Sequence, residues 1–208
     1  MGVTSADIPI LETLIKNYQP KSVIELGAQN NYAQPHLPAP YMKSWYEARG
    51  LNYNAIDLSQ ENGAWPIDLG RAAFEGLPNL IAFQNVKFYQ RDLVTDFGTS
   101  EHVGIDGKFD WEAIYHCWQI KFHLCKIDGV IISENPKTGN WPGHGFQWYT
   151  KEFYYRLACY AGLEIILIDQ IPAMGNTTDG WNILCVMRKN SNAFPDLETF
   201  KTFDLRQS

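Results

Sequence analysis

Ser22-Val23-Ile24-Glu25-Leu26-Gly27 decides the fold class. Three apolar positions around one acid, closed by a glycine, read as a buried strand running into a tight turn. Upstream, Ile8, Leu11, Leu14, Ile15 and Tyr18 fall at helical spacing within Ser5 to Tyr18, and Pro20 ends that helix. A helix, a buried strand and a glycine turn form the opening of an α/β domain. The rest of the chain continues the alternation. Residues 28–40 are polar and proline-rich, a loop, and Ala39 to Arg49 forms a helix ending at Gly50. Tyr53 to Leu58 reads as a second strand, Ala64 to Leu69 as a short third, and Val86 to Phe97 holds a fourth that ends near Thr95 and Asp96. In the clearest helix, Asp110 to Cys125, residues Trp111, Ile114, Tyr115, Trp118, Phe122 and Cys125 make one apolar stripe. Gly129 is read as its stop, before a buried strand at Val130 to Glu134. A loop rich in Gly, Pro and Trp runs from Asn135 to Trp148, and Thr150 caps a helix through Tyr160. Leu163 to Ile171 and Trp181 to Arg188 close the sheet. Residues 1–190 are expected to be a single domain, and 191–208 a polar tail or surface helix.

Composition narrows the function classes. The 208 residues are 45% hydrophobic and 14% aromatic, with net charge −6. That aromatic content argues against disorder, and the acidic balance argues against a nucleic-acid binder, which needs a basic footprint. No apolar run approaches the ~20 residues that cross a bilayer, and Asp7 and Glu12 interrupt the place of a signal peptide. The expectation is a cytoplasmic protein, a monomer or weak homodimer with no membrane partner. Cys117, Cys125, Cys159 and Cys185 form no C-x-x-C pair, so they read as reduced thiols, mostly buried.

In open α/β sheets, ligands bind outside the C-terminal strand ends. Glu25, Asp57 and Asp68 stand at three such ends. Only the first glycine of a dinucleotide G-x-G-x-x-G is present after Leu26. A carboxylate there repels phosphate and suits a cationic, hydroxyl-rich ligand such as S-adenosylmethionine. Asp57 can accept bonds from two ribose hydroxyls, and Asp68 from an adenine amino group.

The segments Val23 to Gln29, Ala55 to Leu58, Gly63 to Leu69, Asp92 to Val103, Gly129 to Pro136 and Trp141-Pro142-Gly143-His144-Gly145 together resemble a class I S-adenosylmethionine-dependent methyltransferase of an atypical, small-molecule or glycan-type branch. The resemblance spans about residues 20–190. It implies an open, mostly parallel seven-stranded Rossmann-like sheet with helices on both faces and an antiparallel last strand. It also implies S-adenosyl-L-methionine contacts at Glu25, Gly27, Ala28, Asp57, Leu58, Asp68 and Leu69, with Thr95, Asp96, Phe97 and Gly98 walling the methyl group. Gln29 and Asn31 stand where the later glycines of the first motif belong. The stretch 70–89 is long, which leaves Asp92 as an alternative adenine acid to Asp68.

Of the five histidines, His116 and His123 lie seven apart on the long helix and read as packing or surface residues, and His36 has no visible partner. His102 and His144 follow strand ends where an acceptor should approach, and are the candidate general bases. No histidine, cysteine or acid cluster has metal-ligand spacing in the sequence, so no metal is expected. Methyl transfer to a small-molecule or sugar hydroxyl or amine is the leading reading. Its rivals are a non-catalytic binding protein that keeps the fold, and a nicotinamide-dependent reductase, which lacks both the phosphate glycines and any Tyr-x-x-x-Lys pair.

Overall fold

The computed structural model describes residues 2–28, 30–31, 42–57, 64–70, 90–173 and 180–208. Among these, a seven-stranded sheet carries the molecule. In chain order the short β1 (Gly2–Val3) is followed by α1 (Ile8–Tyr18), β2 (Ser22–Leu26), the short β3 (Asn30–Asn31), α2 (Met42–Glu47), β4 (Asn52–Asp57), β5 (Trp65–Pro66) and β6 (Arg91–Phe97). Then come α3 (Trp111–Leu124), β7 (Cys125–Pro136), β8 (Gln147–Trp148), α4 (Lys151–Ala161), β9 (Leu163–Pro172), β10 (Trp181–Lys189), α5 (Leu197–Phe200) and β11 (Arg206–Gln207). The strand order is β5-β4-β2-β6-β7-β10-β9. Pairings from β5 to β7 are parallel, and β10 runs antiparallel to both neighbours. The expected architecture, including its antiparallel last strand, is the one observed.

Strand alternation sorts the side chains into two cores. Ile24, Leu26, Val94 and Ile131 face α3 and α4, joining Ile114, Trp118, Phe153 and Leu157. Val23, Leu93, Val130 and Ile132 face α1 and α2, joining Leu11, Leu14, Trp45 and Tyr46. Asp110 caps α3 by accepting from the Ala113 amide at 2.8 Å, and Thr150 caps α4 by accepting from the Phe153 amide at 3.0 Å. At the far end of α3, the buried Lys189 ammonium donates to the carbonyls of Phe122 and Cys125, both at 2.9 Å. This satisfies carbonyls that a helix end leaves open.

Two expectations need correction. Gly129 does not stop the helix: α3 ends at Leu124, and Gly129 lies inside β7, where the register against β6 shifts. A Cβ there would stand 2.8 Å from Cys125 Sγ and 3.0 Å from the Asp92 carbonyl, so the close strand approach selects glycine. The segment after residue 190 is also not loose. Phe200, Phe203 and Leu205 are buried in the α3–α4 core, and β11 pairs with β8. Its many polar residues mask an apolar set spaced within six residues. Cys117, Cys125 and Cys185 are buried thiols and Cys159 is exposed. Among the described residues no helix is long and apolar enough to cross a membrane. His36, Leu58 and most of the long stretch 70–89 lie outside the described residues.

Candidate active site

A cavity of about 650 Å³ opens at the C-terminal ends of β2, β4, β5 and β6. Gly27 and Ala28 form one wall, Ile56 and Asp57 the next, Ile67 to Gly70 the third, and Gly98, Thr99, His102 and Val103 the fourth. Parallel strands whose connections reverse beside β2 leave a crevice at this position. Asp57 Oδ2 accepts the Ala28 amide at 2.7 Å, so the second strand end braces the turn after the first. Asp68 is exposed, and its Oδ1 accepts the Gly70 amide at 2.9 Å. Among the described lining residues, Asp57, Asp68 and Asp106 are acidic, and no Lys or Arg is present.

The sequence-derived residues divide. Gly27, Ala28, Asp57, Asp68 and Leu69 line the cavity. Glu25 does not. It lies on the α1–α2 face with Val23, fully buried, and accepts the Tyr53 hydroxyl at 2.7 Å. Thr95, Asp96 and Phe97 are buried as well and do not wall the cavity; of the expected wall only Gly98 lines it, joined by Thr99. Alternation is the cause: Thr95 and Phe97 point to the α1 face, Asp96 to α3, and only the residues past the strand end reach the crevice. Asp92 is at the opposite end of β6. There Oδ2 accepts the Lys21 and Ser22 amides, both at 2.9 Å, and Oδ1 pairs with Lys126 at 2.9 Å.

Asp96 anchors a buried polar network that the sequence reading missed. Its Oδ2 accepts from Lys121 Nζ at 2.6 Å and from the Ser100 hydroxyl, and its Oδ1 accepts the Thr99 amide at 2.8 Å. Lys121 Nζ also donates to Ser133 at 3.3 Å and sits 3.4 Å from the centroid of the Trp118 ring. Asn135 Nδ2 donates to Ser133 at 2.8 Å and to Tyr154 at 3.2 Å. Burial pushes the Asp96 carboxyl upward, but the Lys121 ammonium and the surrounding donors hold it below its ordinary value. The legible signal was a lysine on the apolar stripe of α3, one turn after Cys117.

The network fixes Ser100, the first residue of a short 3-10 turn, Ser100–His102. Glu101 follows, fully buried, and among the described residues no donor reaches its Oε2. Its Oε1 is 3.1 Å from His102 Nε2 and 3.5 Å from His144 Nε2. The two imidazoles meet edge to face with centroids 4.9 Å apart, and Trp141 packs against His144 at 5.0 Å. Burial pushes Glu101 well above its ordinary value. Burial likewise lowers both histidines, so they are neutral near pH 7. The fold thus assembles Glu101, His102 and His144 into one cluster although no spacing in the sequence does so. His102 is the member on the cavity wall.

The Gly143-His144-Gly145 turn is seated directly on Glu101. Phe146 donates its amide to the Glu101 carbonyl at 2.8 Å. Gln147 Nε2 donates to the Ser100 carbonyl, and β11 pairs with β8 from outside. A Cβ on Gly145 would lie 2.9 Å from the Glu101 carbonyl oxygen and 3.2 Å from its Cβ and Cγ. Gly145→Ala is expected to destabilise the fold by about 1–3 kcal/mol, the usual cost of overpacking, as a lowered thermal midpoint. An unchanged midpoint would show that the loop yields freely.

No family model matches the sequence, and no curated protein matches it. Solved structures do. An N1-methyltransferase of 1,6-didemethyltoxoflavin from Burkholderia thailandensis, bound to that compound and S-adenosylhomocysteine, aligns with a TM-score of 0.59 at 13% identity, over 89% of this chain and 79% of its own. The N-methyltransferase NodS from Bradyrhizobium japonicum, with S-adenosylhomocysteine, aligns at 0.57 and 12% identity, over 88% and 85%. Magnesium protoporphyrin IX methyltransferase from Synechocystis, with bound S-adenosylmethionine, aligns at 0.54 and 11% identity, over 89% and 77%. The chain has the fold of the class I S-adenosylmethionine-dependent methyltransferases.

Proposed function

We propose that this protein transfers a methyl group from S-adenosylmethionine to a small-molecule or sugar acceptor carrying a hydroxyl or amine. The observation that carries this reading is the acid-lined cavity at the C-terminal ends of β2, β4 and β5. Its volume, about 650 Å³, suits a nucleoside-sized ligand. Its described walls offer carboxylates and no cationic side chain, which fits a sulfonium and an amino group and disfavours a pyrophosphate. That contrast favours S-adenosylmethionine over a nicotinamide dinucleotide.

S-adenosylmethionine supplies a carbon already activated for displacement, so the protein's work is positioning. In this reading Asp57 accepts the ribose hydroxyls and Asp68 the adenine amino group. Gly27 and Ala28 let the backbone approach the cofactor, with Leu69 beside the base. Gly98 keeps its place beside the methyl group, and Thr99 stands there in place of Thr95, Asp96 and Phe97. A hydroxyl acceptor enters past His102, whose neutral imidazole is available for its proton, while Glu101 and His144 fix its orientation.

Titration calorimetry tests the reading. Micromolar binding of S-adenosylmethionine or S-adenosylhomocysteine is expected, with NAD silent. Asp57→Ala is expected to lose about 1.5–3 kcal/mol of that affinity, the range for a hydrogen bond involving a charged group. An unchanged dissociation constant removes Asp57 from the site, and no binding to the parent protein overturns the proposal.

A further inference from the structure

We propose that Glu101, His102 and His144 form a binding site for one divalent transition-metal ion of the zinc type. This deepens the proposed function by placing an ion on the acceptor wall. It rests on that reading for the role of the ion but not for its binding. The donor set is a carboxylate oxygen and two imidazole nitrogens, and these three atoms lie within 4.8 Å of one another. Zinc bonds of 2.0–2.2 Å in tetrahedral geometry place neighbouring ligand atoms about 3.3 Å apart. Glu101 Oε1 already stands 3.1 Å from His102 Nε2 and 3.5 Å from His144 Nε2. Two of the three edges of a coordination face are therefore in place, and the third is no longer than 4.8 Å.

A second observation points the same way. Glu101 is fully buried, and among the described residues Oε2 has no polar partner while Oε1 faces only the two imidazoles. A buried carboxyl is ordinarily satisfied, because burial without partners costs several kcal/mol. A divalent cation between Glu101 and the two rings supplies the missing compensation. The backbone also holds the cluster in shape. Asp96 accepts the Thr99 and Ser100 amides at 2.8 and 3.2 Å, and the Phe146 amide donates to the Glu101 carbonyl at 2.8 Å. Ligands from two loops are thus fixed before any ion arrives.

Three protein ligands leave a coordination position for water or a substrate oxygen. With His102 on the cavity wall, that position adjoins the space assigned to the acceptor. The acceptor class so selected carries an oxygen that binds a hard or borderline cation: a hydroxyl, phenol, enol or carboxylate. In the metal-free protein His102 remains free to take the proton itself.

The test uses the full chain, stripped with chelator and titrated with Co²⁺, whose visible absorption reports coordination by nitrogen and oxygen. One equivalent is expected to bind, and Zn²⁺ to displace it. Glu101→Gln and, separately, His144→Ala are expected to weaken Co²⁺ binding by about 100-fold or more, since even partners of ligands are worth 10–100-fold. Circular dichroism and S-adenosylhomocysteine binding check that each variant is folded, and the exposed His144 gives a readable variant should Glu101→Gln fail to fold. A parent protein that takes up neither ion, or variants that bind like the parent, overturns the site. Cofactor binding without metal uptake sinks this inference and leaves the proposed function standing. Metal uptake without cofactor binding does the reverse.

Discussion

Lys121→Met is expected to destabilise the protein by about 3–5 kcal/mol, the cost of stranding a buried charge. Methionine matches the lysine stem in volume, so packing against Trp118 survives and the loss is electrostatic. Asp96 and Lys121 are both fully buried, 2.6 Å apart. Without the ammonium, Asp96 retains only neutral donors in a medium that penalises its charge. The pH dependence gives the mechanism away. In the parent protein Asp96 has a folded-state pKa below its unfolded one. Its contribution is therefore full above the unfolded value, about 3.9, and is lost as pH falls through the lower folded value. In the variant, burial unopposed by a cation raises the folded value above the unfolded one. The sign then inverts: the variant gains relative stability as pH falls, because Asp96 folds protonated. Urea unfolding at pH 5 and pH 8 checks the variant's half, since the parent's Asp96 contribution is constant there, and parent unfolding carried down through pH 3 checks the other. A gap between parent and variant that does not narrow at the lower pH refutes the account.

His102→Ala is expected to lower turnover by about 10²–10⁴-fold while leaving affinity for S-adenosylhomocysteine within a factor of two or three. The split follows from position. His102 lines the cavity beyond the strand end of β6, whereas the acids assigned to ribose and adenine stand on β4 and after β5. Turnover is to be measured on an acceptor found in a panel of hydroxyl and amine compounds, with calorimetry on the same preparations. Because burial holds the imidazole below its ordinary value, the parent's rate is expected to fall only at acidic pH, as the ring becomes charged. His144→Ala is expected to follow His102→Ala or to raise mainly the acceptor's KM. Near-normal turnover in both variants and in the double variant removes the cluster from the chemistry.

The fold was legible because its signals are local. Val23, Ile24 and Leu26 need only their own neighbours to declare a buried strand, and the stripe from Trp111 to Phe122 declares a helix. The acids at strand ends were legible for a related reason: topology fixes where parallel strands finish, so Asp57 and Asp68 reach the cavity wherever the helices pack. What escaped depends on facing. Glu25, Thr95, Asp96 and Phe97 stand at the right height on their strands, but alternation turns them into the two cores. Lys121 and Lys189 hide in the pattern because a lysine is ordinarily read as solvated, and only tertiary contact reveals its buried partners. The two histidines were legible singly, but not their meeting with Glu101: His144 follows His102 by roughly forty residues and reaches it through a loop with no periodicity.

The pairing of β11 with β8 sets an order of events during synthesis. Arg206 pairs with Trp148 and Gln207 with Gln147, while the Ser208 amide donates to the Phe146 carbonyl at 3.1 Å. The turn that carries His144 is thus held from outside by chain made roughly sixty residues later. At ribosomal rates of 5–20 residues per second, that interval is about 3–12 s. The sheet up to β7 and the acids of the cavity are translated before this clasp, so the outer support of the histidine loop is made after the strands that carry those acids. Removing residues 206–208 is therefore expected to take away the outer support of that loop while leaving the acids of the cavity in place.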